Sequence, residues 1–502
     1  MRFKKDNASA RMPNSPMSDD VTKNRPGRPR LAEGSRRRGS KPTAARLLAV
    51  RVLERVGRVR AYADLALHHA LAQSHLSAAD RGLATELVYG TLRWQGRIDY
   101  ALSQAVARPL EEIEPLVLTT LRVGAYQLMF SDRIPDSAAV DESVRCARAI
   151  GADRATGLVN AVLRRTAREY TSLSWPDLDT DPVDHLVHAL SLPRWLAERW
   201  EADYGAEQAA ALARACNAPP PLTVRANPRH GDREQLMKKL QSQFPELRPC
   251  RYAAYGVILG HGGDPGRDPH FREGQYSVQD EASQLAAELL SVQPGQSVLD
   301  VCAAPGSKTT ALAERLTDGA GSVLALDRHG NRLSLVARAA RRLGLTGIHT
   351  LVRDGTRSLL DLPLPHSTSV DEDEASPAFD RVLVDAPCSG LGAIRRNPDA
   401  RWRIRSSDPA RLAKIQSRLL NRAAEVTAPD GRLVYSVCTV IREENEEVVD
   451  RFLDENPSFR REETTPAIPH IEELLDDSGD MRCYPHRHDT DGFYAARLIR
   501  VK

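Results

Sequence analysis

Residues Ser297–Leu316 read SVLDVCAAPGSKTTALAERL. An apolar run of strand character passes through a turn of small residues into a helical pattern. In a doubly wound sheet, ligands bind at the carboxyl ends of the strands, and a small Gly/Pro turn lets the backbone approach a ligand closely. Two familiar turns are excluded. A Walker A loop needs glycines where this chain has Cys302 and Ser307, and the dinucleotide fingerprint G-x-G-x-x-G is absent. What remains is a nucleoside site of another type.

Working outward, strand patterns recur at 297–301, 322–327, 348–352, 379–385 and 431–436, with helical patterns at Leu333–Leu343 and Ala410–Val426. This alternation predicts βαβ units and a parallel sheet covered on both faces, with a late strand at 491–499. Asp327 ends the second strand, 21 residues after Gly306, where a carboxylate accepts bonds from ribose hydroxyls. An ordinary strand-end turn residue is the alternative. Asp354 ends the third strand in Asp-Gly, itself a common turn. A turn and two acidic strand ends, without diphosphate-binding glycines, suit S-adenosylmethionine.

Cys388 lies three residues past the fourth strand, in "FDRVLVDAPCSGLGAI", and Cys438 two past the fifth, in "GRLVYSVCTVIREENEE". Neighbouring strands lie roughly 4.8 Å apart, so if these two are adjacent both thiols can face one substrate. A disulfide is an alternative that a reducing cytosol disfavours. A core cysteine fits Cys302 or Cys146 better than two residues in polar, turn-forming surroundings. Methyl transfer to oxygen or nitrogen needs no thiol. Transfer to carbon 5 of a pyrimidine does: a thiolate adding to carbon 6 makes carbon 5 enamine-like. A second thiol can assist release, and Asp385 is placed to bond the ring-nitrogen and amino edge of cytosine.

The rest of the 502 residues divides around this segment. Residues 1–42 form a polar arm, expected to be disordered. Twelve basic against four acidic residues up to Lys41 make +8 there and leave −5 for the remainder of a chain of net charge +3. Such an arm either holds RNA phosphates or simply solvates the protein. Residues 43–172 read as helical throughout, with Ser77 and Ser137 as N-caps. Residues 173–275 read as a small α+β subdomain with strands at "LTVRA" and "RYAAYGVILG", and 276–502 as the α/β domain. "DEDEASP" at 371–377 reads as a solvated acidic insertion. The seven cysteines include no C-x-x-C pair, which argues against zinc. No apolar run reaches the roughly 20 residues of a membrane span, and the start is polar, so a cytoplasmic protein is expected.

"DVCAAPGSKTT", "FDRVLVDAPCSGLGAIRRNPDARW", "LVYSVCTVIREENEEVV" and "DGFYAARL", with "GQYSVQDEASQLAAELL" ahead of them, resemble the motif set of the RNA cytosine-5 methyltransferases. "DRGLATELVYGTLRW" and "GLVNAVLRR" resemble a NusB-type RNA-binding domain. The pairing is similar to the RsmB (Sun/Fmu) branch, which methylates one cytidine of 16S ribosomal RNA. The resemblance implies an all-α NusB-like domain, a small α+β linker subdomain and a C-terminal Rossmann-like class I methyltransferase domain. It implies Cys438 as nucleophile and Cys388 as the aid to product release. Cys302, Ala303, Ala304, Pro305, Gly306, Ser307, Lys308, Asp327, Asp354 and Asp385 would border S-adenosylmethionine, Asp385 serving the base as well.

The resemblance implies ribosomal RNA as partner, no metal and no membrane, and nothing demands more than a monomer. Ser307, where the family usually has Gly, and Leu391, where it more usually has Thr, depart from the pattern. Transfer RNA as substrate, or a non-catalytic RNA-binding assembly factor, are the competing readings. Arg395, Arg396, Arg401, Arg403 and Arg405, with Trp402 among them, suit an RNA backbone or a stacked base, or else a solvated basic loop.

Overall fold

The computed structural model describes residues 41–260, 265–316, 321–363, 378–462 and 468–501. All but the last residues of the basic arm, and all of the 371–377 insertion, lie outside them. The chain divides into two compact units. One takes the residues up to Arg58, Ala66–Thr91 and Ile98–Trp175; the other takes Val59–Leu65, Leu92–Arg97 and Pro176–Lys502.

The first unit is helical, built largely from Ala44–Val59, Ala63–Ala72, Ala78–Arg93, Gln95–Ala105, Pro115–Phe130, Asp136–Ala149 and Thr156–Glu169. Leu87, Leu121, Val159 and Leu163 are buried at its centre. Gly90 is a contact point: a Cβ there would lie 2.1 Å from Cζ of Tyr126. Ser77 caps its helix, accepting the amide of Asp80 at 3.2 Å. Ser137 does not cap. It is the second residue of its helix, and Pro135 holds the cap position without a side-chain bond, its ring having pre-set the extended backbone that enters the helix.

The second unit holds two sheets. In the smaller, β1 (Thr223–Ala226), β2 (Arg248–Pro249), β3 (Gly256–Ile258) and β4 (Tyr276–Val278) lie in the order β2-β3-β1-β4, with every pair antiparallel. β4 joins this sheet although its residues follow the sequence-expected boundary at 275. "RYAAYGVILG" supplies only three strand residues. Its first half turns instead, with the amide of Gly256 on the carbonyl of Ala253.

The larger sheet has β5 (Ser297–Asp300), β6 (Ser322–Asp327), β7 (Ile348–Val352), β8 (Phe379–Asp385), β9 (Thr427–Val437), β10 (Phe459–Arg461), β11 (Met481–Cys483) and β12 (Phe493–Arg500). Its order is β10-β12-β9-β8-β5-β6-β7, with β11 on β12. β7, β6, β5, β8 and β9 run parallel. β12 enters antiparallel to β9 and pairs antiparallel with β10 and β11, so the sheet is mixed. β5 is central: the chain goes one way to β6 and β7, then crosses back to β8 and β9. That reversal opens a crevice at the carboxyl ends of β5, β6 and β8. The inner parallel strands β8 and β9 bury apolar residues on both faces, whereas β7, at the edge, exposes His349 and Thr350. Leu383 and Val434 belong to one buried cluster, and Val382, Val384 and Tyr435 to another that includes Leu419 and Leu420 of the helix Asp408–Glu425.

One buried ion pair fastens the small sheet to the helix that follows β5. Arg225 of β1 donates from Nε and Nη2 to the two carboxylate oxygens of Glu314, at 2.9 and 2.8 Å, and from Nη1 to the carbonyl of Ser307 at 2.9 Å. Both side chains are nearly inaccessible. Arg225→Met is expected to cost about 3–5 kcal/mol in urea denaturation, because Glu314 is left buried and unpaired. Adding Glu314→Leu is expected to recover most of that loss.

Candidate active site

The turn after β5 lies in the crevice. The Ala304–Pro305 peptide is cis, and Gly306 has φ +110°. A Cβ on Gly306 would also stand 3.0 Å from Cα of Val336, so both conformation and space require glycine there. The turn is tied to the neighbouring strands through the amide of Ala303 on the carbonyl of Leu326 and that of Val301 on Leu383. Ser307 opens the helix Ser307–Ala313, and its carbonyl is the one Arg225 holds.

Four carboxylates rim the strand ends. Asp300, at the end of β5, is fully buried. Burial pushes its carboxyl up to about 7, although Thr309 Oγ1 donates to it at 2.7 Å. Asp327 accepts the amide of His329 at 2.8 Å, and Arg332 bridges Asp327 (3.3 Å) to the carbonyl of Ala304 (2.8 Å). Asp354 folds onto its own turn: Oδ1 accepts the amide and hydroxyl of Thr356, and those bonds hold its carboxyl below the usual range. Asp385, at the end of β8, is clamped on both oxygens. Lys308 Nζ lies 2.8 Å from Oδ2, and Ser436 Oγ donates to Oδ1 at 3.0 Å. Lys308 also sits 5.0 Å from the centre of the Phe493 ring. So Lys308, a residue of the turn motif, turns its ammonium toward Asp385.

Because β8 and β9 are neighbours, Cys388 and Cys438 meet, with their sulfurs 3.4 Å apart. Both are free thiols and partly accessible. The hydrogen bond to Cys438, together with burial, holds the Cys388 thiol well above the usual cysteine range. Cys302 is held higher than usual too, by burial and then by the charges of Asp300 and Asp385. A thiol pair beside a clamped carboxylate can add to an electron-poor ring and later relay a proton.

Residues 287–499 match the family model described as 16S rRNA methyltransferase RsmB/F. Residues 43–168 match the NusB family, and 192–264 the ferredoxin-like domain of RsmF/B-like methyltransferases. The chain is 37% identical over 461 residues to the probable ribosomal RNA small subunit methyltransferase B of Bacillus subtilis, covering 91% of this chain and 99% of that protein. The chain belongs to the RsmB/F family of 16S rRNA methyltransferases. The ribosomal RNA small subunit methyltransferase B of Pseudomonas putida is also 37% identical, over 84% of this chain and 91% of its own. The crystal structure of PH0851 superposes with a TM-score of 0.74 at 25% identity, over 90% of this chain and 98% of that one.

In this RsmB/F methyltransferase the arginine-rich loop after Cys388 is not the open basic surface that its composition suggests. Arg395 and Arg396 both donate to the buried Asp491, and Arg396 reaches Asp280 (2.7 Å) and the carbonyl of Pro221. Arg401 is fully buried and donates to Asn217 and to the carbonyl of Ser191. Trp402 Nε1 donates to the carbonyl of Leu92, and Arg403 lies over the Tyr62 ring at 4.1 Å. Arg405 remains exposed. For Arg395 and Arg396 the reason is charge balance: buried Asp491 and half-buried Asp280 need cations, and these two arginines supply them. Leu391 packs fully buried in an apolar cluster with Leu196 and Trp200.

Asp300 and Ser436 stand at these strand ends beside the predicted residues, and sequence reasoning singled out neither. The strand-end position of Asp300, two residues before Cys302, was the available signal. Among the described residues no group of His, Cys, Asp and Glu is placed to hold a metal ion, and no helix is long and apolar enough to cross a membrane.

Proposed function

We propose that this RsmB/F methyltransferase transfers a methyl group from S-adenosylmethionine to carbon 5 of a cytidine in 16S ribosomal RNA, with Cys438 as nucleophile. The observation that carries the reading is the 3.4 Å contact between two thiols delivered by adjacent parallel strands, beside Asp385. The residues at the crevice fit the cofactor. Asp327, Asp354 and Asp385 disfavour a diphosphate but suit a cationic sulfonium nucleoside, and acidic strand ends accept ribose hydroxyls and an amino group. Asp327, Asp354 and the 302–307 turn are the residues assigned to hold it. When bound, S-adenosylmethionine supplies an electrophilic methyl group to carbon 5.

The chain's own residues do the rest. Cys438 gives its thiol proton to water and bonds through sulfur to carbon 6, while the electrons of the carbon 5–carbon 6 double bond shift to carbon 5 and the ring and make carbon 5 nucleophilic. Asp385, oriented by Lys308 and Ser436, accepts the amino group of the base. Cys388, 3.4 Å from the Cys438 sulfur, gives its own proton to water and, as thiolate, takes the carbon-5 proton once the methyl group is in place. The electrons of that C–H bond restore the ring double bond, and the Cys438 thiolate leaves.

The test is bisulfite sequencing of ribosomal and transfer RNA from cells with and without this gene. One additional unconverted cytidine in 16S RNA is expected when the gene is present. A gene-dependent cytidine in transfer RNA instead would reassign the substrate. No gene-dependent cytidine in either RNA would favour a non-catalytic assembly role.

A further inference from the structure

We propose that Glu444 is a positioning residue for methyl transfer: its buried carboxylate ties the loop carrying Cys388 to the loop carrying Cys438 and sets the spacing of the two sulfurs. The inference rests on the reading of Cys438 as nucleophile and Cys388 as the releasing thiol.

Glu444 closes the short helical turn Arg442–Glu444 after β9 and is completely buried. Oε2 accepts the backbone amide of Ser389 at 2.8 Å and the side-chain amide of Gln416 at 3.0 Å. Oε1 lies 3.4 Å from the hydroxyl of Thr439, which is itself 2.9 Å from the hydroxyl of Ser389. Gln416 also donates to the carbonyl of Pro387 at 3.0 Å. Ser389, after Cys388, and Thr439, after Cys438, therefore meet on one carboxylate, and Pro387, before Cys388, joins them through Gln416.

An acceptor-only group is what this junction needs. A backbone amide, a side-chain amide and a hydroxyl point at it, and a glutamine would turn its own NH2 toward one of those donors. The partners of Glu444 are neutral, and burial raises its carboxyl. A separate bond, from the amide of Gly392 to the carbonyl of Cys438, holds the two loops independently, so loss of Glu444 loosens the pair rather than unfolding it.

The experiment uses the full-length chain and two readouts. The first is steady-state methylation. Glu444→Gln is expected to lower kcat about 100-fold, the scale of a misplacement near 1 Å, with KM for RNA and cofactor within about twofold. The second needs neither RNA nor cofactor. Diamide takes one hydrogen from each of two touching thiols, and the wild-type chain is expected to form a Cys388–Cys438 disulfide readily. Thr439→Val leaves the Glu444 charge in place, so its disulfide rate reports spacing; a fall of about tenfold is expected, with Thr439→Ser restoring the rate.

Wild-type kcat in Glu444→Gln, or a wild-type disulfide rate in Thr439→Val, overturns the proposal. Should Glu444→Gln fail to fold, the Thr439 pair decides. The disulfide rate involves no methyl transfer, so a failure of the catalytic assignment leaves this readout standing.

Discussion

Cys438→Ala is expected to abolish methylation, while Cys388→Ala is expected to accumulate a covalent protein–RNA adduct that survives a denaturing gel. Losing a nucleophile typically costs about 10⁴-fold or more in kcat, because no neighbouring group inherits its bond to substrate. The two thiols are close enough, at 3.4 Å, to raise the question of substitution. The proposed mechanism gives them different roles: Cys438 bonds to carbon 6, and Cys388 takes the carbon-5 proton. Without Cys438 no carbon–sulfur bond forms and no adduct appears. Without Cys388 the bond forms but the carbon-5 proton has no acceptor. Equal adduct in both mutants would defeat the assignment, and full activity of Cys438→Ala would remove the covalent mechanism altogether.

Gly392→Ala is expected to give the next largest effect, on stability and activity together. A Cβ at 392 would fall 1.9 Å from the carbonyl oxygen of Gly492, a contact that backbone must move to relieve. The same two glycines are hydrogen-bonded: Gly492 donates to the carbonyl of Gly392, and Gly392 donates to the carbonyl of Cys438. The added methyl therefore pushes apart the loop after Cys388 and the start of β12, and it strains the bond that holds Cys438. Overpacking of this kind costs about 1–3 kcal/mol, and a shift of about 1 Å at the nucleophile costs about 100-fold in kcat. Thermal melting and single-turnover methylation of the purified variant measure the two. Wild-type values in both would show that the glycine contact does not support the site.

Much of the fold was legible because its signals are local. The boundaries of β6 and β8 are readable from runs of apolar residues ended by Asp, since a strand buried on both faces tolerates little else. The helices of the first unit announce themselves through apolar spacing. Ser77 was readable as a cap and Ser137 was misread, because a cap depends on where the helix begins, and Pro135 moved that beginning. The antiparallel entry of β12 and the membership of β4 in the small sheet were not readable, since a short strand carries no mark of its partner.

At the site, residue type suggested the two thiols, the turn and three of the carboxylates. It could not say that Lys308 faces Asp385, that Arg401 is buried, or that Glu444 joins two loops, because each depends on which distant segments are brought together. The sequence by itself determined the βαβ order, the strand-end chemistry and the presence of two cysteines after two strands. Only the tertiary structure decided that those strands are adjacent and that their sulfurs touch. Chain order places residues at strand ends, but hydrogen bonding between strands sets which ends are neighbours.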